Sequence, residues 1–359
     1  MCHIVRLLKI SCAILLLFLL GCTQKDDAQE RMKTYVERVA YVLDEDFTWE
    51  LKSPPALPPQ RDRLLTPETI TEGLLDVLDF RHCDLLPLIA KRNSSLGKLA
   101  TPSAAMIYEI QFIQQLHQCL PLIESRADIT SDQKQHFKSI YANKIKSLPI
   151  FLWNAIYTGQ EIEASQALNQ SPLPLSIGDH DTTLRNIETL AAFITSAATT
   201  PEAFNSPLLS NIEPTYESIF KDPLGTPLLK SLLLLEATLN ETAAVIENRL
   251  KRRPMCFNEM SNPKADILKT VFMQHYAAQV QPYMAAVHKI GDRWLSAHEK
   301  MLSNLPAPVA MNLYIAQALS QSSDMSIWKR YLTARDRHTA AWKSILEQCN
   351  LLPKAPNQS

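Results

Sequence analysis

Glycine is scarce in this chain, at 7 of 359 residues. Phosphate-cradling loops, collagen repeats and low-complexity linkers all lean on glycine, so none of them is expected. Valine is thin as well, at 10 against 51 leucines and 35 alanines. That balance favours helix, and no segment alternates apolar and polar positions as a half-buried strand would. Charge of one sign is also missing, with 36 basic against 37 acidic side chains and a formal net charge of −1. No excess of positive charge is left to neutralise a phosphate backbone, so nucleic acid is not an expected partner. What is present is apolar mass: 46% of the residues are hydrophobic, which argues against disorder. At roughly 150 residues per domain, the length allows about two domains and a substantial core.

The N-terminus reads as an export signal. His3, Arg6 and Lys9 form a basic head, followed by an apolar stretch from Ile10 to Leu20. That stretch is too short for a bilayer span, which takes about 20 residues. It ends in Leu19-Leu20-Gly21-Cys22, which resembles the lipobox of bacterial lipoproteins. By that resemblance cleavage falls between Gly21 and Cys22, the Cys22 thiol is diacylated and its new amine is acylated. Several acyl chains make a stable membrane anchor where one does not. The next residue is Thr23 rather than Asp. In a Gram-negative source, the lipoprotein sorting pattern then points to the periplasmic face of the outer membrane.

The seven cysteines are Cys2, Cys12, Cys22, Cys83, Cys119, Cys256 and Cys349. Setting aside two in the signal and one lipidated residue leaves four. In an oxidising periplasm an even number suggests two disulfides, with three possible connectivities. Cys83–Cys119 with Cys256–Cys349 is the expected pairing, because each bond then closes within one half of the chain. Burial as free thiols is the alternative, since Cys119 follows Phe112 and Leu116 on one helical stripe and Cys349 follows Trp342 and Ile345.

The remainder reads as an all-α, multi-helix bundle in two halves, stapled by disulfides, behind the cleaved signal. Residues 1–21 are the signal, and 22–62 carry the lipidated N-terminus, a first helix and a proline-rich tether. Residues 63–200 and 201–359 form the two helical halves. Helices are expected over 28–46, 67–80, 82–92, 102–126, 131–158, 181–198, 207–221, 227–252, 263–303, 308–321 and 325–350. Thr66-Pro67, Thr101-Pro102, Thr200-Pro201, Thr226-Pro227 and Asn262-Pro263 each set a capping side chain before a proline suited to a first helical position. Pro121, Pro149 and Pro282 fall inside long helical patterns and should kink or divide them. Lys52 to Asp62 is expected to be extended, spacing the body from the first helix.

The densest polar run lies at Leu78-Asp79-Phe80-Arg81-His82-Cys83 and Ile89 through Lys98. With the lipobox and Trp153-Asn154, it resembles a family of proteobacterial lipoproteins, the domain-of-unknown-function family 3080. That resemblance implies an exported lipoprotein and supplies no activity, cofactor or catalytic residue. Read physically, the run is a turn, with Gly97 able to take positive φ and Asn93 and the serines suited to capping. Read as a site, Arg81, Arg92 and Lys98 would bind a carboxylate or phosphate, with Asn93 and Ser94 adding hydrogen bonds. Ser95-Leu96-Gly97-Lys98 matches S-x-x-K, but the spacing recurs at Ser131/Lys134, Ser261/Lys264 and Ser326/Lys329 without K-T-G or S-D-N partners. His288 and Asp292 stand at i,i+4, with Glu299 further along that face, as the start of a metal site or as helix-surface charge.

No cofactor motif stands out. The expected role is a helical binding or assembly-support module of the cell envelope, held to the membrane by its lipid and facing a protein partner. The alternatives are a periplasmic hydrolase or peptidoglycan-active enzyme using the Arg81–Lys98 region, and a carrier of an apolar ligand between helices. Cys22→Ala should leave an uncleaved, unacylated precursor, heavier by the signal peptide on mass spectrometry; a processed, membrane-bound variant would sink the lipobox reading.

Overall fold

A computed structural model of the chain describes residues 27–68, 80–202, 209 and 212–352. The expected signal peptide, Cys22 and nearly all of the helix expected at 67–80 lie outside the described residues. Helices carry the rest, and among the described residues the only β pairing is an isolated bridge between Phe257 and Met260.

Helix α1 (Ala28–Leu43) starts on an Asp27 cap and buries Met32, Tyr35, Val36, Val39 and Leu43 on one stripe. The segment after it carries no regular structure as far as Pro59 and then turns helical at Gln60, inside the stretch expected to be extended, and it does not space α1 from the body. Phe47, Trp49, Leu51 and Leu57 pack against the main core, so the segment is a strap that leads to the short helix α2 (Gln60–Arg63). A 3-10 turn (Phe80–Cys83) and α3 (Leu86–Asn93) precede a single helical turn, α4 (Ser95–Lys98). Two long antiparallel helices follow, α5 (Pro102–Ser125) and α6 (Ser131–Tyr157). Thr101 caps α5 through the Ala104 N–H, and Thr130 with Gln133 forms a capping box at α6. Pro121 and Pro149 lie within these helices without dividing them. Helix α7 (Gln160–Ser165) was not expected from periodicity, being too short to show any.

The second part comprises α8 (Asp181–Thr199), α9 (Ile212–Lys221), α10 (Gly225–Arg252), α11 (Pro263–Val271), α12 (Gln281–Leu302), α13 (Asn312–Ala318) and α14 (Ile327–Glu347). Asn262 caps α11 as expected, whereas Thr200 ends α8 and Thr226 sits inside the first turn of α10. The single helix expected over 263–303 is interrupted by a π segment (Phe272–Val280) just ahead of Pro282, where a widened turn absorbs the missing N–H. Helix α10 is the centre: α1 and α14 pack along it, and its Leu228 to Leu235 run is buried except for Lys230. Gly291 lets α12 approach α14, because a Cβ there would stand 2.7 Å from the Trp328 ring.

Two cores result. The main one draws on α1, the strap, the C-terminal half of α6 and every long helix from α8 onward. The smaller one gathers Phe80, Phe112, Leu116 and Phe137 around the α5–α6 hairpin. Each holds one disulfide, Cys256–Cys349 in the main core and Cys83–Cys119 in the smaller, with Cα separations of 5.2 and 5.4 Å.

Scarce glycine leaves helix ends to other residues. Asp44, Asp84 and Asn350 take left-handed conformations at φ 52, 54 and 51° where glycine usually stands. Each is followed by the same six-to-one bond, from Glu45 N to Ala40 O, Leu85 N to Phe80 O and Leu351 N to Leu346 O. Asp44→Gly should therefore raise stability, by up to about 1 kcal/mol, unless its ion pair with Lys264 outweighs the relief. Urea unfolding in high salt, which screens that pair, gives the clean measure, and a destabilised variant there would refute the strain.

Candidate functional site

The Trp153-Asn154 pair lies on the last turns of α6, where four unpaired carbonyls need donors. The strap supplies them. Arg63, only 1% exposed, donates Nε to Pro58 O at 2.7 Å and a terminal nitrogen to Tyr157 O, and pairs with Glu163 at 2.6 Å. Gln60 Nε2 donates to Thr158 O at 2.7 Å. In return, Trp153 Nε1 donates to Arg63 O at 2.7 Å. Asn154 pairs with the Leu65 backbone as a strand would, its amide donating to Leu65 O at 2.8 Å and its oxygen accepting from Leu65 N at 3.0 Å. The Trp153-Asn154 signature therefore has a docking role in the fold.

The polar run at 81–98 is put to a similar use. Arg92, half-buried, lies 5.9 Å from the Tyr108 ring centroid and donates to Gly97 O, while Ser94 Oγ accepts from Gly97 N at 3.0 Å and donates to Lys91 O at 2.7 Å. Gly97 does not take positive φ. It is required because a Cβ would collide with the carbonyls of Lys91 and Arg92. Arg81, Asn93 and Lys98 are exposed and do not join Arg92 and Ser94 in one hydrogen-bonded constellation. Two leucines on the same turn, Leu96 and Leu99, are 84% and 83% exposed.

The S-x-x-K spacing has a plain cause at Ser326, whose Oγ caps α14 by accepting from Lys329 N at 3.1 Å. Likewise His288 stacks on Trp328 at 4.8 Å, and Glu299 accepts from Ser320 and from the Gln321 and Ser322 amides, pinning the α13–α14 loop. Among the described residues no cluster of His, Cys, Asp and Glu has a metal-holding geometry.

Two histidines that periodicity gave no reason to single out are deeply buried. His298 faces Tyr157 OH at 3.2 Å, and His338 faces Tyr35 OH at 2.7 Å beside Trp342. Burial alone pushes both down to about 3, so both are neutral in the fold. Beside His298, with Tyr216 and Trp294 in its wall, is a mostly apolar cavity of about 40 Å³. At 10–15 Å³ per water it holds roughly three molecules, far less than an acyl chain.

The class these features define is a disulfide-stapled all-α body whose buried polar groups serve packing. A family model described as "Protein of unknown function (DUF3080)" matches residues 32–353, and the chain belongs to that family. No curated protein and no solved structure matches it.

Unfolded, the two buried histidines titrate near 6.5 and bind protons that the fold refuses. Stability present above that pH is therefore lost as pH falls toward 3, at up to about 1.4 kcal/mol per pH unit for each histidine. Chemical denaturation at a series of pH values should show a shallower acid slope for His298→Gln than for the parent. Identical slopes would mean that His298 does not stay neutral.

Proposed function

We propose that the chain is a lipid-anchored envelope protein, held through Cys22 at the periplasmic face of the outer membrane, that acts as a helical binding or assembly-support module. One observation carries the binding role. Leu96 and Leu99, 84% and 83% exposed, stand on a turn fixed from behind by Arg92 and Ser94. Fixed, solvent-facing leucines flanked by the polar Asn93 and Lys98 have the make-up of a small contact patch, an apolar centre with a polar rim. Two disulfides support an oxidising compartment, and the lipobox supports the anchor. A photo-cross-linking residue placed at Leu96 or Leu99 in intact cells should capture a discrete partner, and a probe at exposed Lys343 should not. Leu99→Asp should abolish the Leu96 adduct without lowering the melting temperature. Equal, diffuse labelling at all three positions would remove the reading.

A further inference from the structure

A polar groove runs along α10, between the strap near Trp49 and the first turns of α14. Its strap end has about 160 Å³ of free space and its α14 end about 310 Å³, and Glu236 and Asn240 line both. Most of its charges stand in ion pairs. Glu236, 8% exposed, accepts from Arg330 Nε at 3.2 Å and stands 4.0 Å from Lys52 Nζ, while Asp324 pairs with Lys329. Glu241 accepts from the Thr48 N–H at 2.8 Å. Asn240 Oδ1 accepts from Arg337 at 3.3 Å, which fixes the amide and leaves its nitrogen as a donor. Trp49 packs one side on the core, and its Nε1 is buried with no acceptor in the protein.

Several ligand classes fit this lining poorly. A small anion meets a lining with more acidic than basic side chains, and no group of His, Cys, Asp and Glu among the described residues could hold a metal ion. A peptide docking by strand addition needs a free sheet edge, and one docking as a helix needs an apolar trough. No sheet is present among the described residues, and the apolar lining at the strap end is Trp49, Leu233 and Ala237. What remains is a row of fixed donors and acceptors with little net charge, with one indole at its end. Sugar hydroxyls answer it, because each both donates and accepts. They would donate to the Glu236 and Glu241 carboxylates and accept from Asn240, with an apolar ring face against the indole.

We propose that this groove binds an oligosaccharide, with one sugar ring at Trp49 and its neighbours extending past Asn240 toward Thr333. The groove is distinct from the Leu96–Leu99 turn, which belongs to helices outside α10 and α14, so either can fail without the other. The test is calorimetric titration of the full-length protein in detergent, disulfides intact, with tetra-N-acetylchitotetraose and separately with maltotetraose. At least one should bind, and Trp49→Phe and Asn240→Ala should each weaken it about tenfold or more, whereas Leu99→Asp should not. Trp49→Phe keeps an aromatic ring in the strap, and equal melting temperatures confirm that each variant is folded. Failure of both sugars to bind at ~10 mM, or binding indifferent to both groove substitutions, would overturn the proposal.

Discussion

The Arg63 guanidinium is the joint on which the N-terminal part of the fold turns. A buried cation is costly unless its donors are all engaged. Here they reach Pro58 O, Tyr157 O and the half-exposed Glu163 carboxylate. One side chain thus closes the strap on itself and fastens it to the open carbonyl end of α6. Trp153 and Asn154 complete the joint from the helix side. Because the strap also connects α1 to the rest, α1 can lie against α10 and share the main core instead of standing apart on a tether.

Polar groups follow the same logic elsewhere. Lys144 and Glu109 form an ion pair at 2.9 Å beside the Phe112 ring of the smaller core; burial pushes the Glu109 carboxyl up and Lys144 opposes it. Ser231 ties the Leu173 backbone to Tyr283 at 2.9 Å on either side. His298 and His338 are held neutral against tyrosine hydroxyls. Each group answers a neighbour's unmet bond, so chemistry-bearing residues in the sequence are a poor guide to chemistry in this fold. Outward-facing groups, the Leu96–Leu99 turn and the α10 groove, carry the binding proposals for that reason.

Much of the helical plan was legible because its signals are local. Capping at Thr101, Thr130 and Asn262, and the stripe Met106, Ile110, Ile113, need only a few neighbouring residues to be read. Signals failed where the deciding partner was remote. Pro282 gave no hint of a π segment, since that depends on how α12 continues against its neighbours. The strap looked like a spacer because proline-rich composition describes the chain's stiffness and not the surface waiting for it. Within the polar run, residue types suggested a ligand site, while the direction of Arg92 was set by Tyr108 and Gly97.

By itself the sequence determined the all-helical class through composition and local periodicity, carried the motifs that mark the family, and offered an even number of cysteines whose pairing the structure then settled. It also carries Leu19-Leu20-Gly21-Cys22, whose resemblance to a lipobox is the ground on which the membrane anchor is proposed. Only the tertiary structure decided that glycine's scarcity is met by Asp44, Asp84 and Asn350 at helix ends, and that Arg63 turns a linker into a strap. It decided equally that Glu236, Asn240 and Trp49 line one groove. Those outcomes depend on which backbone groups are left unsatisfied after helices pack, and that is settled between residues far apart in sequence.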